Sequence, residues 1–200
     1  MIGVQEIHTD GGVAMFIGWL RMKERRLLLW LNRGPASVKL AAVVRRWLST
    51  VTHMGGATFT LSASLLLALL GEGAWELAGW QSLAAVVVSH IPVAVVKRTL
   101  KRLRPYQAIE GVRTGKSPLA DSSFPSGHTT AVFAWIVPLA YAAASELPAW
   151  LPLIVAVAVL IAGSVGWSRM YLGLHYPSDV GAGALLGTLT ALLAISFIGS

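Results

Sequence analysis

The stretch 150–167, WLPLIVAVAVLIAGSVGW, decides the fold, because eighteen residues pass without a single charge. A helix needs roughly 20 apolar residues to cross the hydrocarbon core of a bilayer, and this run supplies nearly all of them. Four further segments read the same way. About 48–70 contains Leu-Leu-Leu-Ala-Leu-Leu and is closed by Glu72 and Glu76. About 77–96 ends at Lys97, and about 129–144 is closed by Glu146 and Pro148. The last, 180–199, carries Gly181, Gly183 and Gly187, small residues that let membrane helices approach closely. The expected fold is all-α, a polytopic transmembrane helix bundle of five spans, or six if 11–20 also crosses. Ten residues of helix reach only ~15 Å, which argues against the sixth.

Composition agrees. Of 200 residues, 55% are hydrophobic and only 12% are charged, against about 25% charged in soluble domains. There is no cysteine, which excludes disulfides, thiolate metal ligands and cysteine nucleophiles. The net charge of +7 could suggest nucleic acid, but all sixteen Lys and Arg residues lie in 21–46, in 97–116 or at Arg169. Basic clusters that punctuate apolar spans suit anionic lipid headgroups and a phosphate substrate. No nucleic-acid partner is expected. Residues 13–20 are apolar, yet Glu6 and Asp10 precede them and Arg21 follows, the reverse of a cleavable secretory signal. About 23–47 mixes Leu27–Leu31, Val38, Leu40, Val43 and Val44 with basic residues, a pattern for amphipathic helices lying in the membrane interface. The chain therefore divides into an interfacial region, 1–47, and a membrane domain, 48–200.

With five spans, the N-terminal region, loop 97–128 and loop 168–179 share one face, while loops 71–76 and 145–149 share the other. The first face receives every Lys and Arg; the second receives Glu72, Glu76 and Glu146. Three chemical motifs fall together on the basic face. Lys97 and Arg104 are seven residues apart, two helical turns, so a continuing helix would project both to one side as a phosphate clamp. Pro125-Ser126-Gly127-His128 opens the third span. A helix N-terminus presents free N–H groups and partial positive charge to an anion, Gly127 admits a close backbone approach, and Ser126 is a hydroxyl donor or an N-cap. Ser168-Arg169 follows the fourth span, and His175 and Asp179 precede the fifth. If a helix begins near Pro177, the two come within hydrogen-bond reach, leaving the far imidazole nitrogen free to attack. Each motif has an ordinary structural explanation: a cationic helix end, a capped helix with an interfacial histidine, a His–Asp pair at a helix start. Together, on one face, they point to phosphoryl transfer.

The pattern Lys-x6-Arg-Pro, Pro-Ser-Gly-His and Ser-Arg-x5-His-x3-Asp resembles the type 2 phosphatidic acid phosphatase (PAP2) superfamily of membrane lipid phosphatases, over Lys97–Asp179 by motif. The resemblance implies that His175 attacks phosphorus to give a phosphohistidine, that Asp179 orients it, and that His128 protonates the leaving oxygen and then activates water. It implies that Lys97, Arg104, Ser126, Gly127 and Arg169 hold the phosphate oxygens, with no metal and no cofactor. His8, His53 and His90 show no ligand spacing. The implied substrate is a lipid mono- or diphosphate such as phosphatidic acid, phosphatidylglycerol phosphate or undecaprenyl diphosphate.

Two other functions use the same residues: a phosphotransferase, in which a lipid or sugar hydroxyl replaces water, and a non-catalytic lipid-binding or transport protein. The intact His128, His175 and Asp179 speak against the latter, since binding an anion needs cations only. Vanadate-dependent haloperoxidases share the anion pocket but not this much membrane-spanning sequence. The positive-inside rule places the basic face in the cytoplasm, whereas the resemblance to bacterial relatives places the site outside. The expected location is the plasma membrane with the site outward. The sequence leaves the oligomeric state open.

Overall fold

The structure, a computed structural model, describes residues 11–114 and 119–199. Glu6, His8, Asp10 and Lys116 lie outside the described residues. All regular structure among the described residues is helical. The helices are α1 (Gly11–Arg33), α2 (Val38–Val51), α3 (Ala57–Leu70), α4 (Ala74–Leu100), α5 (Pro105–Ala108), α6 (Gly127–Glu146), α7 (Leu151–Tyr171) and α8 (Pro177–Phe197). Prolines set several starts. Pro105, Pro152 and Pro177 sit in the first turn of α5, α7 and α8, where a missing N–H breaks no hydrogen bond.

Three helical stretches are long and apolar enough to cross a membrane: Ala74–Ala108, Pro148–Tyr171 and Pro177–Phe197. A fourth would be the pair Val38–Gly55 and Ala57–Leu70, bent by 56° at the break between them. This differs from the five or six spans expected, for two reasons. The run 48–70 is not one helix. A 3₁₀ turn at Thr52–Gly55 and the extended backbone of Gly56 interrupt it, and the turn carries the polar, buried Thr52 into the protein. The run 129–144 does form a helix, α6, but α6 is the hub on which α3, α4, α7 and α8 all pack. Its buried face is built of Thr129, Thr130, Ala131, Ala134 and Ala142, and a helix walled by other helices needs small residues more than hydropathy.

The packing is that of a membrane protein. Buried positions are mostly small or hydroxylated, while large apolar side chains such as Leu70, Val159, Leu185 and Phe197 are exposed, the last at 79%. In water such an exterior would aggregate. Interior polar groups find partners within the bundle, as lipid demands, in cases such as Ser82 Oγ, which donates to the Trp135 carbonyl at 2.9 Å, and Gln81 Nε2, which donates to the Ile198 carbonyl at 2.7 Å. A close approach also joins α8 to α6. A Cβ on Gly187 would lie 2.3 Å from the Thr130 carbonyl oxygen, and one on Gly183 would lie 2.6 Å from that of Ser126. The two backbones therefore touch, which brings the start of α8 to the start of α6.

The N-terminal region also differs from expectation. The apolar stretch 13–20 and the basic stretch after it form one helix, α1, and α2 runs across position 47. Glu24, Leu28 and Asn32, at successive turns of α1, face the protein. Leu28 packs with Ile109 and Tyr176, and Asn32 Nδ2 donates to the carbonyls of Arg113 and Tyr171.

Candidate active site

Loop 119–126, the segment 101–104, the turn 172–176 and the starts of α6 and α8 converge at one end of the bundle. Ser123 N–H donates to the Arg102 carbonyl at 2.9 Å, Ser126 N–H to the Asp179 carbonyl at 3.0 Å, and Tyr106 N–H to the Gly173 carbonyl at 3.2 Å. The turn after α7 is tight. Gly173 has φ +67°, and a Cβ there would strike Val112 at 2.6 Å, so glycine is required. The Arg169 carbonyl accepts from both Leu174 N–H and His175 N–H, and this aims His175 back into the bundle.

His175 is buried, and its Nδ1 lies 2.6 Å from the Ser123 carbonyl oxygen. A carbonyl can only accept, so Nδ1 carries the proton and Nε2 keeps its lone pair. Arg104 Nη1 lies 3.2 Å from that Nε2. Burial is the main force lowering the His175 pKa; Asp179 opposes it, and Arg169 and Arg104 lower it further, to about 4. The ring is therefore neutral at physiological pH. Asp179 stands at the N-terminal turn of α8, fully buried, with Oδ2 3.7 Å from His175 Nδ1, beyond hydrogen-bonding distance. Its Oδ2 accepts from Tyr176 N–H at 2.8 Å and its Oδ1 from Arg102 Nη1 at 2.7 Å. Nδ1 is held by a backbone carbonyl, with the carboxylate beside it.

Lys97 and Arg104 do meet, though not by helical spacing. Helix α4 ends at Leu100, where Lys101 turns left-handed at φ 43°, and Arg104 is the extended residue before α5. They converge on Asp121. Lys97 Nζ lies 2.7 Å from its Oδ2, and Arg104 Nη2 lies 2.5 Å from its Oδ1. Partial burial, the largest single influence, would raise the Asp121 pKa; the hydrogen bonds and charges of Lys97 and Arg104 outweigh it and hold the carboxyl at about 2. Arg104 is 0% exposed and also donates to the carbonyls of Leu174 and Asp121.

Arg169 is 3% exposed. Its Nη1 donates to Thr52 Oγ1 at 3.0 Å, while its Nε has no partner and is buried. No carboxylate among the described residues forms an ion pair with it. Removing the partner of a buried charge costs about 3–5 kcal/mol, so a buried guanidinium held only by a hydroxyl marks a seat for an anion. Ser126 caps α6, accepting from Thr129 N–H, and the N–H groups of Gly127 and His128 have no intrahelical acceptor. His128 is half-buried, within electrostatic reach of Arg169, His175 and Lys97. All eight expected residues thus lie at one end of the bundle. Arg102, Glu24, Asp121, Ser123 and Thr52 also belong to this network and were not singled out from the sequence. One signal was available for Asp121: it is the sole carboxylate between Glu110 and Glu146. No group of three or more His, Asp or Glu suited to a metal occurs among the described residues; the site's excess charge is positive.

Comparison with known proteins gives the same direction. Residues 78–199 match the family described as the PAP2 superfamily. Decaprenylphosphoryl-5-phosphoribose phosphatase of Mycobacterium tuberculosis (strain CDC 1551 / Oshkosh) is 32% identical over 139 residues, covering 66% of this chain and 70% of the relative. Phosphatidylglycerophosphatase B of Bacillus subtilis (strain 168) is 32% identical over 178 residues, covering 83% of each chain. A transmembrane PAP2 type phosphatidylglycerolphosphate phosphatase from Bacillus subtilis superposes with a TM-score of 0.73 at 23% identity, over 96% of this chain and 88% of that one. This last likeness concerns the fold.

Proposed function

The chain belongs to the PAP2 superfamily, and from that premise we propose that it is an integral membrane phosphatase that hydrolyses a lipid phosphate or diphosphate through a phosphohistidine. The observation that carries the proposal is the buried, carboxylate-free Arg169 beside a neutral His175 whose Nδ1–H is tied to a carbonyl. That pairs a candidate seat for an oxyanion with an imidazole whose Nε2 faces a second cation, Arg104 Nη1, at 3.2 Å.

The chemistry balances as follows. His175 Nε2 attacks phosphorus, and the bond to the lipid-side oxygen breaks. His128 gives that oxygen its proton. Water then attacks the phosphohistidine, His128 takes the water's proton, the P–N bond breaks, and inorganic phosphate leaves. Arg169, Arg104, Lys97, Ser126 and the Gly127 N–H hold the equatorial oxygens as charge spreads over them. Such positioning and electrostatic stabilisation do most of the work in phosphoryl transfer. Asp179 stabilises the ring as it becomes positive. The fixed cations take the place a divalent metal would fill.

Relatives named as phosphatases of decaprenylphosphoryl-5-phosphoribose and of phosphatidylglycerophosphate support a substrate with a lipid tail in the bilayer and its phosphate at the interface. The candidates remain phosphatidic acid, phosphatidylglycerol phosphate and undecaprenyl diphosphate. We read α3 and α6 as completing a five-helix membrane domain over 48–200, with 1–47 at the interface. We place the protein in the plasma membrane with the site outward. Phosphate release from a panel of lipid phosphates in detergent micelles tests the activity: release is expected, and none from any lipid overturns it. EDTA is expected to leave that release intact; abolition reversed by Mg²⁺ would refute the metal-free step.

A further inference from the structure

Asp179 is fully buried, and a buried carboxylate needs a counter-charge. His175 does not provide a close one, since its Nδ1 is 3.7 Å away and occupied by the Ser123 carbonyl. The counter-charge is Arg102, whose Nη1 lies 2.7 Å from Asp179 Oδ1. Arg102 is itself held on three sides. Its Nη2 lies 2.8 Å from Glu24 Oε2 on α1, its Nη1 donates to Ser178 Oγ at 2.8 Å, and its guanidinium stacks 4.0 Å over the Tyr176 ring. Glu24 reaches further: its Oε1 accepts from Ser178 N–H at 3.0 Å and also from the Ser178 hydroxyl. A closed chain of charges therefore runs from α1 through the end of α4 to the first turn of α8.

We propose that Arg102 and Glu24 are positioning residues for the catalytic carboxylate. Arg102 fixes the Asp179 rotamer beside His175, and Glu24 fixes Arg102, so that α1 braces the nucleophile. This rests on the phosphatase reading above. Glu24 lies outside the three motifs, and Arg102 occupies an unspecified position of Lys-x6-Arg-Pro. Arg102 falls among five cations in 97–104, where a positively charged helix end accounts for it. Glu24 is an isolated acid in a basic segment. Both act through Asp179 and leave the anion seat of Lys97, Arg104 and Arg169 untouched. Their loss should weaken turnover and spare anion binding.

Arg102→Gln is expected to lower kcat by ~10–100-fold, the usual range for partners one shell out, with KM and the vanadate inhibition constant within about threefold of the parent. Glu24→Gln should show the same signature at about 3–10-fold, and Arg102→Lys should recover part of the loss. A kcat within twofold of the parent in Arg102→Gln overturns the proposal. So does a fall in vanadate affinity that matches the fall in kcat, which would make Arg102 an anion ligand or a general prop. Phosphate release by the parent protein tests the phosphatase reading separately. Melting temperatures of Arg102→Gln, Asp179→Asn and the double variant read the pairing without any activity. A double shift smaller than the sum is expected for coupled sites, and strictly additive shifts overturn it.

Discussion

Two buried guanidiniums stand at the same end of this protein in opposite circumstances. Arg104 shares a carboxylate, Asp121, with Lys97 and directs its other N–H groups to carbonyls and to His175 Nε2. Arg169 has a threonine hydroxyl and an unpartnered Nε. The first region is electrostatically complete; the second is not. A buried cation without a carboxylate partner is costly, and in the proposed mechanism the α7 end is the seat of the phosphate and the Asp121 region its adjustable rim. Asp121 illustrates the adjustability, because its side chain is 53% exposed and its anionic oxygens sit where phosphate oxygens could take their place.

The contrast has consequences of graded size. Both regions serve one nucleophile, so His175→Ala should cut turnover by ~10³-fold or more while the protein still inserts and folds; near-normal phosphate release would remove the centre on which they converge. Next, Arg169→Gln should cost ~10²–10³ in kcat, as for loss of one oxyanion donor. A loss below tenfold would show that Arg169 is not the seat. Asp121→Asn should act in the opposite sense. Freeing Lys97 and Arg104 from a half-exposed pair worth up to about 1 kcal/mol should tighten vanadate binding by ~2–5-fold, and weaker binding would show that Asp121 shapes the rim instead of competing for it. The smallest effect is one of titration. Because the folded His175 pKa lies below its ordinary value, the ring stays neutral as pH falls until about 4. A nitrogen-15 NMR titration of the ligand-free protein should find no imidazolium at pH 6, where an ordinary histidine is mostly charged.

Much of this was legible in the chain. The charge-free run 150–167 and the prolines at 105, 152 and 177 announce helices and where they start, because helix length and first-turn chemistry are local properties. The four-residue spacing of His175 and Asp179 across Pro177 placed both at the start of α8, as found, but not the hydrogen bond expected between them, since Nδ1 lies 3.7 Å from the carboxylate and on the Ser123 carbonyl instead. Local periodicity misled where it was extended past a helix end. Seven residues from Lys97 to Arg104 suggested one helix face, yet α4 stops at Leu100 and the two cations meet through a loop carboxylate. The charge-free run 48–70, polar in its first half, likewise hid a 56° bend, since its reading as one span did not register the demand for Thr52 beside Arg169.

Sequence alone settled which residue types are present and that long apolar helices flank them, and a five-span count led to the expectation that the cations gather on one face. Those follow from composition, spacing and the cost of charge in lipid. Tertiary structure decided which charge faces which. Glu24 and Arg102 are 78 residues apart, and Arg102 and Asp179 are 77 apart. No helical period relates such positions; loop 119–126 ties the segments together through Ser123 N–H on the Arg102 carbonyl and Ser126 N–H on the Asp179 carbonyl, and a buried carboxylate takes whichever cation the packing delivers.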